Sequence, residues 1–239
     1  MTFSIVAWDA LTGMTGVAVA TKHLAVGALV PHARAKVGAI ATQAQTNPML
    51  GIQGLDLLAA RRTATADWVL GQLLQADSAR DERQVHLVNS AGQPAAWTGK
   101  NCVDWAGHQT YPGFSVAGNM LVGESVLTAM AQAYQQAEME PFSQRLLLAL
   151  AAGDAAGGDK RGRQSAALYV VERSAYPHLD LRIDHHPQPI VALSELYAES
   201  CKPYYQSFRQ SMPMGEPAPV QPVDATVQSI DAARWDIAV

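Results

Sequence analysis

Cysteine is almost missing from this chain: Cys102 and Cys201 are the only two among 239 residues, far apart and in no ligand pattern. They are close to no repeat that would fix a pairing. Without a secretory signal, two free thiols in a reducing cytoplasm are expected. No basic region, apolar core and cleavage site precede the first apolar stretch, so no signal peptide is expected. No apolar run approaches the length that spans a bilayer, which predicts a soluble protein. Positive charge is not in excess either. A net charge of −4 gives no general attraction to nucleic acid or to an anionic membrane. HExxH and CxxC patterns are absent, and the adjacent His185 and His186 would point to opposite faces of a strand. No metal and no other cofactor is therefore expected. GGDKRG has no Ser or Thr after its Lys, unlike a phosphate loop. GxSxG is absent as well, which leaves a Ser–His–Asp triad without its usual elbow.

What is present is small and apolar. Apolar residues make up 49% of the chain, enough for a sizeable core without disulfide staples, and 18 glycines and many alanines suit closely packed layers. The length fits one large domain or two small ones. MTFSIVAWD reads as a buried strand starting at the first residues, LTG (Leu11 to Gly13) as a turn, and TGVAVATK as an antiparallel second strand. Leu24 to Pro31 is expected to continue as an irregular third strand, and Val37 to Gln45 as the next. Asn47 to Leu50 breaks that strand. Helical spacing follows in GIQGLDLLAARRTA and TADWVLGQLLQAD, where Leu55, Leu58, Trp68, Leu70, Leu73 and Leu74 form apolar stripes. RQVHLVN and PAAWTG flank a hairpin turn, and CVDWAGH and GFSVAGN form a second pair around YPG. Helices are expected at about Glu124–Ala137 and Pro141–Gly153, then strands QSAALYVVE and LDLRID, then a late helix PIVALSELYAESCKPYY. The strands carry small apolar side chains on both faces, so the sheets are expected to be covered on both sides. The predicted class is α+β: a four-layer αββα sandwich of two stacked antiparallel sheets between helices. One domain is expected over residues 1–210, and a flexible Pro-rich tail over 211–239.

Thr2 is the first candidate for chemistry. Trimming of an initiator Met1 would leave a threonine carrying its hydroxyl and a free α-amine on one residue. Such an amine has a reference pKa of about 7.7–8.0, so it is a usable base near neutral pH, and a Thr hydroxyl with an N-terminal amine is a known nucleophile pair. A plain first strand that happens to begin with Thr fits the same residues.

Taken in order, MTFSIVAWD, TGVAVATKHLAVGALVP, ATQAQTNP, GLDLLAA, WAGH, GNML and GGDKRGRQSAAL resemble the bacterial family known as domain of unknown function 1028. The likeness spans about residues 2–200. That family is placed in the N-terminal nucleophile (Ntn) hydrolase superfamily. The resemblance implies the same αββα fold and the reaction class of amidases and peptidases that use an N-terminal Thr, Ser or Cys. A more distant likeness is to proteasome β subunits. There the catalytic Thr starts the first strand, an acid ends the second, a Lys lies on the next, and a Ser–Asp–Ser group comes later. Thr2 falls in the first place. Lys22 stands where that pattern has an acid, Arg34 or Lys36 falls near its Lys, Asp159 matches the late Asp, and Asn119 replaces a late Ser.

The expected catalytic residues are Thr2, Lys22, Asn119 and Asp159. Lys22 ends a strand of small residues, where a partly desolvated ammonium would tune a neighbouring amine. Snorkelling off the strand end is the alternative. Asp159 would orient the α-amine, unless it is part of a solvated loop. Asn119 could supply an oxyanion donor or merely cap a turn. Gln43 and Asn47, polar and uncharged, flank the end of a strand and suit an amide substrate, although turn chemistry also explains Asn47. Arg161 could clamp a carboxylate bidentately. With Arg34 and Lys22 near one mouth, a small anionic amide would be favoured. His108 is expected to be a packed or capping residue. The function so reached is a C–N hydrolase acting through an acyl-enzyme. The alternatives are a non-catalytic Ntn-fold binding or assembly module and a metal-dependent hydrolase. The expected partners are a small-molecule substrate and further copies of the chain as a homo-oligomer.

Overall fold

Alternation of small branched residues and short turns builds ten strands, all paired antiparallel, in a computed structural model that describes residues 2–215. β1 (Thr2–Trp8), β2 (Thr15–Thr21), β7 (Gly107–Tyr111), β8 (Phe114–Asn119), β9 (Ser165–Val171) and β10 (Leu179–Ile183) form one sheet in the order β10-β9-β2-β1-β8-β7. β3 (Pro31–Arg34), β4 (Gly38–Ala44), β5 (Arg83–Asn89) and β6 (Pro94–Thr98) form the second, in chain order. Six helices complete the α+β fold among the described residues: α1 (Pro48–Ala60), α2 (Ala66–Ala76), α3 (Ser125–Gln136), α4 (Phe142–Ala155), α5 (Pro189–Ser200) and α6 (Pro203–Gln210). None is long and apolar enough to cross a membrane.

Strand alternation divides the core into three clusters. Phe3, Ile5, Ala18, Ala20, Val116 and Leu168 turn one way and pack with Leu127 and Met130 of α3, Leu146 and Leu150 of α4 and Leu193 of α5. Ile40, Val85 and Leu87 of the second sheet pack with Leu50, Leu55 and Leu58 of α1 and Val69, Leu70 and Leu73 of α2. The remaining face of each sheet contributes to a third cluster, in which Val6, Val17, Val19 and Ala167 of the first sheet meet Ala39, Ala41 and Val88 of the second.

Four local expectations need correction. Leu24 to Pro31 is not a strand. Ala25 adopts a left-handed conformation (φ 52°), a 3-10 turn spans Val26–Ala28, and the strand begins only at Pro31, where a missing N–H costs nothing on an edge. Asn47 and Pro48 do not merely break a strand. They start α1, with the Asn47 side chain accepting from the Met49 N–H at 3.2 Å and Pro48 in the first turn. Of CVDWAGH, only Gly107 and His108 lie in a strand, and β7 continues to Tyr111. The late helix divides at Cys201–Lys202 into α5 and α6. Cys102 and Cys201 are both free thiols. The tail expected from residue 211 lies outside the described residues from 216 onward. Within 211–215, the Tyr176 hydroxyl donates to the Pro213 carbonyl at 2.6 Å, and the Gly215 N–H donates to Ser174 Oγ at 3.2 Å.

Candidate functional site

β1 lies between β2 and β8, so Thr2 is paired with Thr21 on one side and Asn119 on the other. Its side chain turns toward the second sheet, on the same face as Ser4 and Val6. Thr2 is 6% exposed, and its hydroxyl donates to Thr21 Oγ1 at 3.2 Å. It lines a cavity of about 330 Å³ whose wall is built by Leu24, Val26, Leu29 and Val30 on one side and Ala44 to Thr46 on the other. A second cavity of about 390 Å³ shares Ala44 and Gln45 and is lined further by Glu82, Asn101, Val103, Asn119 and Met120. Thr2 thus lines the first space and its cross-strand partner Asn119 the second. Ala44 (φ 68°) and Met120 (φ 53°) both line the second space in left-handed backbone conformations that side chains other than glycine rarely adopt. Strain of this kind gathers at functional sites.

Asp159 sits beside the start of β1. Its carboxylate accepts from the backbone N–H of Lys22 at 3.0 Å, one residue past Thr21, and its backbone bridges Leu121, two residues past Asn119. It therefore ties together the two strand ends that flank the start of β1. The other oxygen accepts from the Arg161 N–H at 2.7 Å, and the Arg161 guanidinium lies 3.4 Å away. The Asp159 side chain is almost fully buried and Arg161 is 42% exposed, so the aspartate belongs to the interior and the arginine to the rim.

The other sequence candidates scatter. Lys22 is exposed, with Nζ 3.4 Å from the Arg163 carbonyl, and not desolvated as its strand context implied. Arg34 pairs with Asp56 of α1 at 2.8 Å and lies opposite Gly38, at the far end of β4 from Ala44, about 20 Å along the strand. Asn47 caps α1, and its amide reaches Asp77 at 3.4 Å. Neither cavity is lined by a lysine or an arginine, so the cations expected around one mouth are not gathered there. Among the described residues, no group of three or more His, Cys, Asp or Glu is placed to hold a metal ion.

Gln43 and Asn119 do meet, in a buried polar network that the sequence did not announce. Gln84 Oε1 accepts from Gln43 Nε2 at 2.8 Å and from Asn119 Nδ2 at 2.9 Å. Gln84 Nε2 faces Thr98 Oγ1 and the carbonyls of Gly107 and Gly118, all within 3.0 Å. Ser4 Oγ donates to Gln43 Oε1 at 2.7 Å and lies 2.8 Å from His86 Nε2, while His86 Nδ1 lies 3.1 Å from Ser115 Oγ. If Ser4 donates to Gln43, the His86 proton must reside on Nε2, which leaves Nδ1 to accept from Ser115. Burial, with a further push from His108, lowers the His86 pKa to about 3, so the ring is neutral. His108 itself is exposed and bonded to Thr98 at 2.8 Å. The available signal was the alternation of Gln84 and His86 with Val85 and Leu87 in β5, two polar residues on the buried face of an apolar strand.

Comparison with known proteins adds a family. The model of the Family of unknown function (DUF1028) matches residues 2–193. A crystal structure of a protein from Silicibacter pomeroyi with the same family model is 35% identical, covers 89% of this chain and 95% of its own, and superposes with a TM-score of 0.82. Anbu (ancestral beta-subunit) from Yersinia bercovieri is 12% identical over 88% of this chain and 98% of its own. Its TM-score of 0.37 is too low to carry an argument. No curated protein matches. With most of its length matched by the family model and a solved relative at this identity, the chain belongs to the DUF1028 family.

Proposed function

We propose that the protein is an N-terminal-threonine amidohydrolase, with the two sheets stacked between helical layers in the αββα order of Ntn hydrolases. The observation that carries this reading is the position of Thr2. Its hydroxyl opens on a cavity at the end of the space between the sheets, and the rung ahead of it is framed by Lys22, Asp159 and Leu121. The packing of α3, α4 and α5 on one sheet and α1 and α2 on the other supports the layer order.

Chemistry follows from removal of Met1. The Thr2 α-amine takes the hydroxyl proton as Oγ1 attacks the amide carbon, and then returns it to the departing nitrogen. The C–N bond breaks and the acyl group is left as an ester on Thr2. Water, deprotonated by the same amine, releases the carboxylic acid and restores the hydroxyl. Asp159 holds the amine in line, and its negative charge favours the protonated form. Asn119 lies opposite Thr2 and is fixed by Gln84, which suits it to stabilise the oxyanion.

Activity should rise with pH as the amine loses its proton, with a midpoint within about one unit of 7.7–8.0. Asp159→Asn removes the charge that favours the ammonium, so the acidic limb should move to lower pH. The test is a panel of small amides assayed for a new carboxylate, with Met1 verified as absent by intact mass. Hydrolysis lost in Thr2→Ala supports the reading. Hydrolysis that persists in Thr2→Ala, or in protein retaining Met1, overturns it. Amide binding without any turnover would favour a non-catalytic module on the same fold.

A further inference from the structure

We infer that the site is built for an amide with an aliphatic group on one flank of the scissile bond and a cationic group on the other. This specificity rests on the hydrolase reading above. The two spaces, one lined by Thr2 and the other by its strand partner Asn119, meet at Ala44 and Gln45 and differ in chemistry. The first is walled by Leu24, Val26, Leu29 and Val30, and Leu24 and Leu29 keep 55% and 44% of their surface exposed, poised to be covered. His23 is its one ionisable side chain, with Nδ1 3.3 Å from the Leu24 carbonyl. An alkyl chain seated there would leave water for an apolar surface, and each added methylene would tighten binding.

The second space has one charged side chain, Glu82. Among the described residues the Glu82 carboxylate has no hydrogen bond or ion pair, while its backbone is fixed by bonds to Gln45 and Ala79. Nearby cations are already engaged: Arg83 with Asp77 at 2.9 Å and Lys100 with Asp81 at 3.1 Å. Asn101, Asn119 and Gln45 add neutral polar groups around it. A half-buried carboxylate without a partner, beside amide side chains, attracts an ammonium or guanidinium and repels an anion. The left-handed backbone at Ala44 and Met120 shapes the walls of this same space.

The test uses full-length protein with Met1 removed and three matched sets of hexanoyl-type amides whose second flank is cationic, neutral or anionic, each made in both orders around the amide. Hydrolysis is followed for the active protein, and binding to the Thr2→Ala protein is measured by calorimetry. Wild type should prefer the cationic set over the anionic one by at least about tenfold in kcat/KM. Glu82→Gln should lose that preference, and Glu82→Lys should invert it. Leu29→Ala should cost about tenfold on long acyl chains and little on acetyl amides. Leu29 is 44% exposed and Glu82 is half-buried at the rim of its space, and an unchanged unfolding midpoint would confirm that the variants fold. Should no amide be hydrolysed while Thr2→Ala binds the cationic set in a Glu82-dependent way, the hydrolase reading falls and this specificity stands. A preference for anionic amides, charge ratios indifferent to Glu82→Lys, or no binding in any set overturns it.

Discussion

The space between the two sheets has two unlike halves. Under β2 and β9 it is closed by Val17, Val19, Ala167, Ala39 and Ala41, small side chains with nothing to hydrogen-bond. Under β1 and β8 it holds Ser4, Gln43, Gln84, His86, Ser115 and Asn119, all buried. The apolar half needs only shape. The polar half must satisfy every donor and acceptor, because a buried amide left unpaired costs about 1–3 kcal/mol. Retaining such a network beside Thr2 trades tolerance for position: Asn119, Gln43 and Gln84 can each be held in one orientation. The difference marks which end of the core holds the polar network that adjoins Thr2.

The comparison can be broken most strongly with acid. His86 is neutral in the fold with its pKa lowered to about 3, against an ordinary value of 6.5. Between those values the unfolded chain binds a proton that the native state refuses, so stability rises with pH there. The contribution is full above the ordinary value and is lost as pH falls toward the folded one, on the order of 5 kcal/mol at the bottom of the window. Unfolding free energies against pH for wild type and His86→Asn should differ in slope by about one proton over this range. Equal slopes would mean that the ring is not held neutral.

Gln84→Leu comes next. It leaves the Gln43 and Asn119 donors without their shared acceptor and should destabilise by about 3 kcal/mol in denaturant unfolding. It should also depress any Thr2-dependent turnover. Val19→Ala, in the apolar half, should cost about 2 kcal/mol through lost burial and a small cavity, with turnover kept. A Val19→Ala protein that loses activity as Gln84→Leu does would erase the distinction between the halves. The smallest effect is expected outside both: Asn47→Ala removes the α1 cap at a cost of about 1 kcal/mol and leaves kinetics unchanged, since Asn47 faces Met49 and Asp77. Altered substrate affinity in this variant would return Asn47 to the site.

Much of the fold was legible because β1, β2, β4, β5 and β9 are runs of small and branched residues, and because the leucine spacing of α1 and α2 is helical. Leu24 to Pro31 misled because an apolar run does not distinguish a strand from a 3-10 turn that covers a cavity. Asn47-Pro48 misled because the pair that stops a strand also starts a helix. At the site, Thr2, Asn119 and Asp159 are brought to one end of β1, but Arg34 is carried away by the length of β4. Lys22, at the end of β2, turns outward. Gln84 and His86 were passed over because their partners come from the other sheet, and a cross-sheet contact leaves no local pattern in one sequence.

The central claim is that the Thr2 hydroxyl, freed beside its own amine, forms the acyl-enzyme. The most direct measurement is to treat protein of verified N-terminus with an aliphatic β-lactone, whose strained ring acylates a nucleophile, and to locate the adduct by peptide mass mapping. One acyl group on Thr2, absent when Met1 is retained and absent in Thr2→Ala, is the predicted result. An adduct on another residue, or one formed equally with Met1 in place, would contradict the account.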